Sequence, residues 1–246
     1  MQLSAAILTT ILTTMVSAQS LKLPTRVGSI VSLSTPMTVT GTLDLGNREY
    51  DRGRPCDSDD DTGSSSAVFI LADGATLSNV IIGANQLEGV HCKGACTLKN
   101  VWFRSVCEDA ISLLGTGDVL IQGGGAQNAQ DKVIQHNGKG TVTVKDYTVV
   151  SVGTVFRSCG NCSKQQGPRS VIITGLKANG VAAEIAGINS NYQDTMTLSG
   201  SCGTGVKHIC QEFRGVLKSE GIESPKLTTK ANCLGAQGRL NTLPVC

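Results

Sequence analysis

Short runs of apolar and β-branched residues, each closed by Asn, Asp or Gly, recur along the chain at a nearly constant interval. Thr76-Leu77-Ser78-Asn79-Val80 and Thr97-Leu98-Lys99-Asn100-Val101 are near copies. Leu120-Ile121-Gln122-Gly123, Thr143-Val144-Lys145-Asp146-Tyr147, Ile172-Ile173-Thr174-Gly175 and Thr197-Leu198-Ser199-Gly200 continue the series. First positions at 76, 97, 120, 143, 172 and 197 are spaced by 21, 23, 23, 29 and 25 residues. Period-2 alternation with frequent turn residues predicts strands, and no ten-residue amphipathic stretch appears between them. A strand-and-turn repeat in the low twenties predicts an all-β, single-domain right-handed parallel β-helix of about seven to eight coils. The Leu-x-x-Leu-x-Leu frame of leucine-rich repeats, which share this period, is missing. Asn79 and Asn100 occupy one register, as stacked side-chain amides would. The spacing predicts an insertion at Cys159 to Pro168 and at least one more coil within residues 19 to 66, with Thr38 to Leu45 as its strand.

Residues 1 to 18 read as a signal peptide: Leu3 to Val16 is uncharged and Val16-Ser17-Ala18 offers small residues before the cut. The segment is too short to span a bilayer. A mature domain over 19–246, secreted and free of the membrane, is therefore predicted. All 10 cysteines follow the cut, and an even number in an exported chain implies five disulfides whose pairing stays open. Four of them fall within Cys202 to Cys246, which predicts a stapled cap over the C-terminal end. Cys159-Gly160-Asn161-Cys162 reads as part of this framework rather than as a redox or zinc motif. Aromatics are only 3% of the chain, so the interior must be stacked aliphatics. A net charge of +2, with no basic stripe, excludes a nucleic-acid reader. A monomer is expected.

Charge becomes informative once placed on the repeat. Glu88, Asp109 and Lys132 each lie twelve positions beyond the start of their unit, at Thr76, Thr97 and Leu120. Glu108 and Asp131 sit one position earlier, and Arg157 lies fourteen beyond Thr143. Paired strands are about 4.8 Å apart, so acids on two coils would stand beside bases on the next two. Carboxylates without His or Cys favour a hard ion, calcium rather than zinc. Lys132 and Arg157 would face the same anionic ligand. The simpler alternative, solvated charges at coil corners, does not account for this order of signs. Cys56-Asp57-Ser58-Asp59-Asp60-Asp61-Thr62-Gly63 lacks the Gly and Glu of an EF-hand loop and reads as a solvated acidic insertion. His91, His136 and His208 share no spacing that would make a metal site or a triad, and His91 and His136 read as structural; Gly123-Gly124-Gly125 marks a coil corner. Asn161-Cys162-Ser163 is a formal glycosylation sequon.

The blocks Glu88-Gly89-Val90-His91-Cys92, Cys96 to Trp102, Val106-Cys107-Glu108-Asp109-Ala110, Gly123-Gly124-Gly125-Ala126, Asp131 to Gly138 and Arg157 to Cys162 together resemble polysaccharide lyase family three, the short pectate lyases. The resemblance runs in order from about Ser29 to the end. It implies calcium-assisted β-elimination of α-1,4-galacturonan, with polygalacturonate or pectin as partner. It assigns Glu88, Glu108 and Asp109 to calcium, Arg157 to the base, and Lys132 to the developing enolate-like charge or the departing C4 oxygen; Lys132, Arg157 and Asp131 are expected to bind the substrate. An arginine base implies an alkaline optimum. The chain departs from the family pattern at Thr154 and Leu114, where lysines are usual, and at Phe103-Arg104-Ser105, which replaces Trp-Glu-Asp. Two lost lysines imply weaker grip on a polyanion and a shift toward methylated pectin. A non-catalytic pectin-binding protein on a lyase scaffold is the alternative; a polygalacturonase would need paired aspartates that are not arranged here.

Overall fold

The computed structural model describes residues 20–58 and 61–246, so the expected signal peptide lies outside the described residues. Every strand pairing between named strands is parallel, each rung hydrogen-bonding to the next coil. One ladder runs through Thr42–Asp51, Ala75–Ile82, Cys96–Phe103, the start of Val119–His136, Gly140–Lys145, Arg169–Thr174 and Met196–Ser199. The second runs through Met37–Val39, Ala67–Leu71, Glu88–Cys92, Asp109–Leu113, the end of Val119–His136, Thr148–Ser158, Lys177–Asn189 and Cys202–Phe213. Its eight rungs match the coil number the period predicts. No described helix is long and apolar enough to cross a membrane.

Alternation decides which side chains go inside. Leu77, Leu98, Ile121, Val144, Ile173 and Leu198 are register partners in one buried column. The preceding residues Thr76, Thr97, Leu120, Thr143, Ile172 and Thr197 form the adjacent column on the outer side of the same strands. In the second ladder, Phe69, Val90, Ile111, Ile134, Phe156 and Ala186 stack in the same way. Each fully buried aliphatic or aromatic side chain contributes on the order of 1.5–3 kcal/mol.

The corners obey equally local rules. Asn79 and Asn100 take left-handed backbone angles of +50° and +51°, and the Asn100 amide donates to Asn79 Oδ1 at 3.0 Å. Asn79 in turn donates to Asp44 Oδ2 at 2.7 Å. The next coil places Gly123 at this corner, with φ +64°, because a Cβ there would stand 2.3 Å from Asn100 Oδ1. The strand expected over Thr38 to Leu45 is instead two strands on different ladders, since the chain turns at Thr40-Gly41 between them.

All ten cysteines pair: Cys56–Cys107, Cys92–Cys96, Cys159–Cys162, Cys202–Cys246 and Cys210–Cys233. The last two fasten the C-terminal tail over the final rung, as expected. Beneath the tail, buried Glu212 accepts hydrogen bonds from Ser190 Oγ, Thr229 Oγ1 and Asn232 N.

Candidate active site

The second ladder carries the charges. Asp109 is the register partner of Lys132, and Lys132 of Thr154. Glu88 precedes Val90 by two residues and Asp109 precedes Ile111 by two; Val90 and Ile111 pair, so Glu88 is the preceding rung of this column. Arg157 does not belong to it. It pairs with Gln135, in the column of His91 and Ser112, three residues along the strand. Its offset of fourteen rather than twelve from Thr143 already sets it two residues past the column, and a one-residue register shift between Val152 and Thr154 adds the third. It still reaches the same groove, because Arg157, Asp131, Lys132 and Thr154 line one cavity of about 290 Å³.

The acidic end opens into a neighbouring cavity of about 230 Å³, lined by Asp61, Glu88, His91, Glu108 and Asp109 among others. Glu88 is 1% exposed and already well partnered. Its Oε1 accepts from the backbone amides of Thr62 (3.0 Å) and Gly63 (3.2 Å), and its Oε2 lies 3.0 Å from His91 Nε2. Ser64 Oγ shares a 3.0 Å hydrogen bond with His91 Nδ1, and Lys93 Nζ donates to the same hydroxyl. The acidic segment is therefore not merely solvated, as its composition implies. Tied to the coil by Cys56–Cys107, it folds onto Glu88 and brings Asp61 to the cavity.

Glu108 and Asp109 are less satisfied. Burial, the Asp109 carboxylate and Glu88 push Glu108 up to about 9. Burial likewise pushes Asp109 up to about 7, although Lys132 pulls the other way. Asp109 Oδ1 is buried without a hydrogen bond; Lys132 Nζ stands 3.4 Å away, an ion pair rather than a donated bond. Crowded carboxylates with a bare oxygen and an all-oxygen donor set fit a hard divalent cation. They do not form a finished cage: no group of three His, Cys, Asp or Glu among the described residues converges as one. Such a site would draw further oxygen ligands from its substrate.

At the basic end, Lys132 Nζ also contacts Asp131 Oδ2 closely, and these partners outweigh burial and raise its pKa. Arg157 Nη1 donates to Ser158 O (2.6 Å) and Asn189 Oδ1 (3.2 Å), and its guanidinium lies 3.8 Å above the Phe213 ring. Asn189 is itself fixed, donating to Cys159 O at 2.8 Å. Burial pulls Arg157 down to about 10, against the field of Glu184. Asn161 lines the same cavity and its amide donates to Glu223 at 3.4 Å, so the sequon stands inside the groove. A larger cavity of about 620 Å³, floored by Asn128, Ser151, Gly180 and Gly205, holds no charged side chain.

His91, Asp61 and Glu184 are site residues that the sequence reading missed. Glu184 carried a usable signal, lying twelve positions beyond Ile172, the offset already used for Glu88, Asp109 and Lys132. His91 stands on the repeat itself, three residues beyond Glu88, and Asp61 reaches the site from a segment outside the repeat. Of the departures, Leu114 lines the acidic cavity, Thr154 the basic one, and Arg104 makes a bidentate pair with buried Glu49 at 2.7 Å, away from both.

A family model described as pectate lyase matches residues 20–220. The chain is 53% identical over 198 residues to pectate lyase E of Emericella nidulans, covering 80% of this chain and 76% of that protein. The catalytic domain of pectate lyase PelI from Erwinia chrysanthemi superposes with a TM-score of 0.73 at 34% identity, over 85% of this chain and 98% of that one. PelI in complex with tetragalacturonic acid gives a TM-score of 0.72 at 34% identity, over 85% and 71%.

Proposed function

The chain belongs to the pectate lyase family and is a polysaccharide lyase, and from that premise we propose how its groove works. Glu88, Glu108 and Asp109 hold a calcium ion, with Glu108 and Asp109 the two carboxylates that have capacity to spare. Arg157 removes the C5 proton of a galacturonate residue in α-1,4-galacturonan, and Lys132, oriented by Asp131, faces the charge that develops. The single observation behind this reading is the change from carboxylates to bases between the successive rungs Asp109 and Lys132.

Calcium bound there would neutralise the C6 carboxylate of the sugar and so make the C5 proton more acidic. Neutral Arg157 accepts that proton. The electron pair left on C5 forms the C4=C5 double bond as the C4–O bond breaks, and Lys132 assists departure of that oxygen, which leaves protonated. No water is consumed, and one fragment carries an unsaturated end. Burial favours this role because it brings Arg157 to about 10, within reach of alkaline pH. The tetragalacturonic acid complex of PelI supports the choice of substrate.

The same reading places the mature domain at 19–246, exported after loss of residues 1–18 and acting as a monomer. A non-catalytic binder is set aside, since Lys132 and Arg157 remain seated in one groove despite Thr154 and Leu114. Absorbance of the unsaturated product, with and without chelator, for wild type and Arg157→Ala, tests the proposal. Product formation that survives both chelation and the substitution would sink it.

A further inference from the structure

Beyond Lys132 the groove turns acidic again. Thr154 pairs with Lys132; the next strand shifts register between Val152 and Phe156, and its Glu184 reaches the same groove as Thr154. Glu184 is 5% exposed and pairs onward with His208. Thr154 and Glu184 line the same 290 Å³ cavity as Asp131, Lys132, Arg157 and Glu223. Its walls therefore carry two formal positive charges against three negative ones. Neither cation is idle: Lys132 sits between Asp109 and Asp131, and Arg157 is held by Ser158 O and Asn189 over Phe213.

A free sugar carboxylate entering this end would approach Glu184 without a dedicated counter-ion. Like charges in a partly desolvated cavity repel over several ångströms. A methyl ester removes one of the two charges, while the neighbouring sugar hydroxyls can still donate to Glu184. Thr154 is too short and uncharged to offset the repulsion.

We propose that Glu184 is a specificity-determining residue, making the end of the groove beyond Lys132 favour a methyl-esterified galacturonate residue over the free acid. The inference rests on the lyase reading above. It concerns which polymer is preferred rather than how the bond is broken.

The test compares kcat/KM for unsaturated product on polygalacturonate and on highly methyl-esterified pectin, at saturating calcium, for wild type, Glu184→Gln and Thr154→Lys. Glu184→Gln keeps the shape and removes the charge. It is expected to raise the ratio of polygalacturonate to pectin activity about fivefold. Thr154→Lys sets an ammonium beside Glu184 and is expected to move the ratio the same way; if it does not fold, Glu184→Gln decides alone. An unchanged or opposite ratio in Glu184→Gln overturns the proposal. So does an equal shift of the alkaline limb on both polymers with no change of ratio, which would make Glu184 only a neighbour that holds Arg157. If the wild type releases no unsaturated product from either polymer, the lyase reading falls instead. The relative binding of the two polymers to wild type and Glu184→Gln then decides the specificity question without turnover.

Discussion

Asp109 and Lys132 face each other from neighbouring rungs, with Lys132 Nζ 3.4 Å from a carboxylate oxygen that receives no hydrogen bond. The ammonium is thus an internal counter-ion to the acids as well as a member of the basic end. A metal joining Asp109 through that oxygen must share it with the ammonium or displace it. Lys132→Met keeps the stem and deletes the charge. Its expected result is a fall in kcat of about 100-fold or more, together with a lower calcium concentration for half-saturation. Steady-state rates across a calcium titration measure both.

Chelation should abolish elimination, and added calcium should restore it. Asp109→Asn and Glu108→Gln each remove a carboxylate from the acids lining the acidic cavity. Both should raise the half-saturating calcium concentration by an order of magnitude or more, read from the same titration. A rate indifferent to chelator would remove calcium from the mechanism.

Arg157 is drawn down to about 10 by burial. If its neutral form is the base, the rate rises with pH through the alkaline range and levels off above about 10. Arg157→Ala should lose on the order of 100- to 10,000-fold in kcat and flatten that limb. A bell centred in acid would exclude Arg157 as base.

Cys56–Cys107 closes a 51-residue separation and ties the acidic segment to the coil that carries Glu108. The double change Cys56→Ser and Cys107→Ser is expected to cost about 2–4 kcal/mol, measured by urea unfolding under oxidising conditions. It should also weaken calcium binding, because Thr62 and Gly63 no longer hold Glu88 in place.

His136 is pushed down to about 3 by burial and by Arg169, against an ordinary value of 6.5. The unfolded chain therefore takes a proton below about pH 6.5 that the folded chain refuses until about 3. Stability should fall with acidification across that window, by up to about 1.4 kcal/mol per pH unit. Denaturant midpoints at pH 7 and pH 4 should separate less in His136→Gln than in wild type.

The repeat in the sequence was enough to place Glu88, Asp109 and Lys132 on one column, because parallel rungs of near-constant length carry a fixed offset into a fixed position. Arg157 stood two residues past that position by the count itself, and a bulge between Val152 and Thr154, which leaves no mark in composition, moves it one residue further. The contacts of Glu88 were hidden for another reason. Thr62 and Gly63 reach it from 26 and 25 residues away, in a segment outside the repeat whose position depends on a disulfide. The pairing of ten cysteines was equally closed to reading, since spacing alone favours no partner for Cys56 over any other.

A stack of parallel strands ends, by its nature, in a row of backbone groups with no next coil to bond. Here Cys202–Phe213 is that row, and the returning tail lies across it, with Gly203 N bonded to Pro244 O and Leu227 N to Glu212 O. The two terminal disulfides make the covering permanent while the environment stays oxidising. Reduction would bare a template for strand addition, so thiol treatment should convert this protein into a fibril-forming species before the coils themselves come apart.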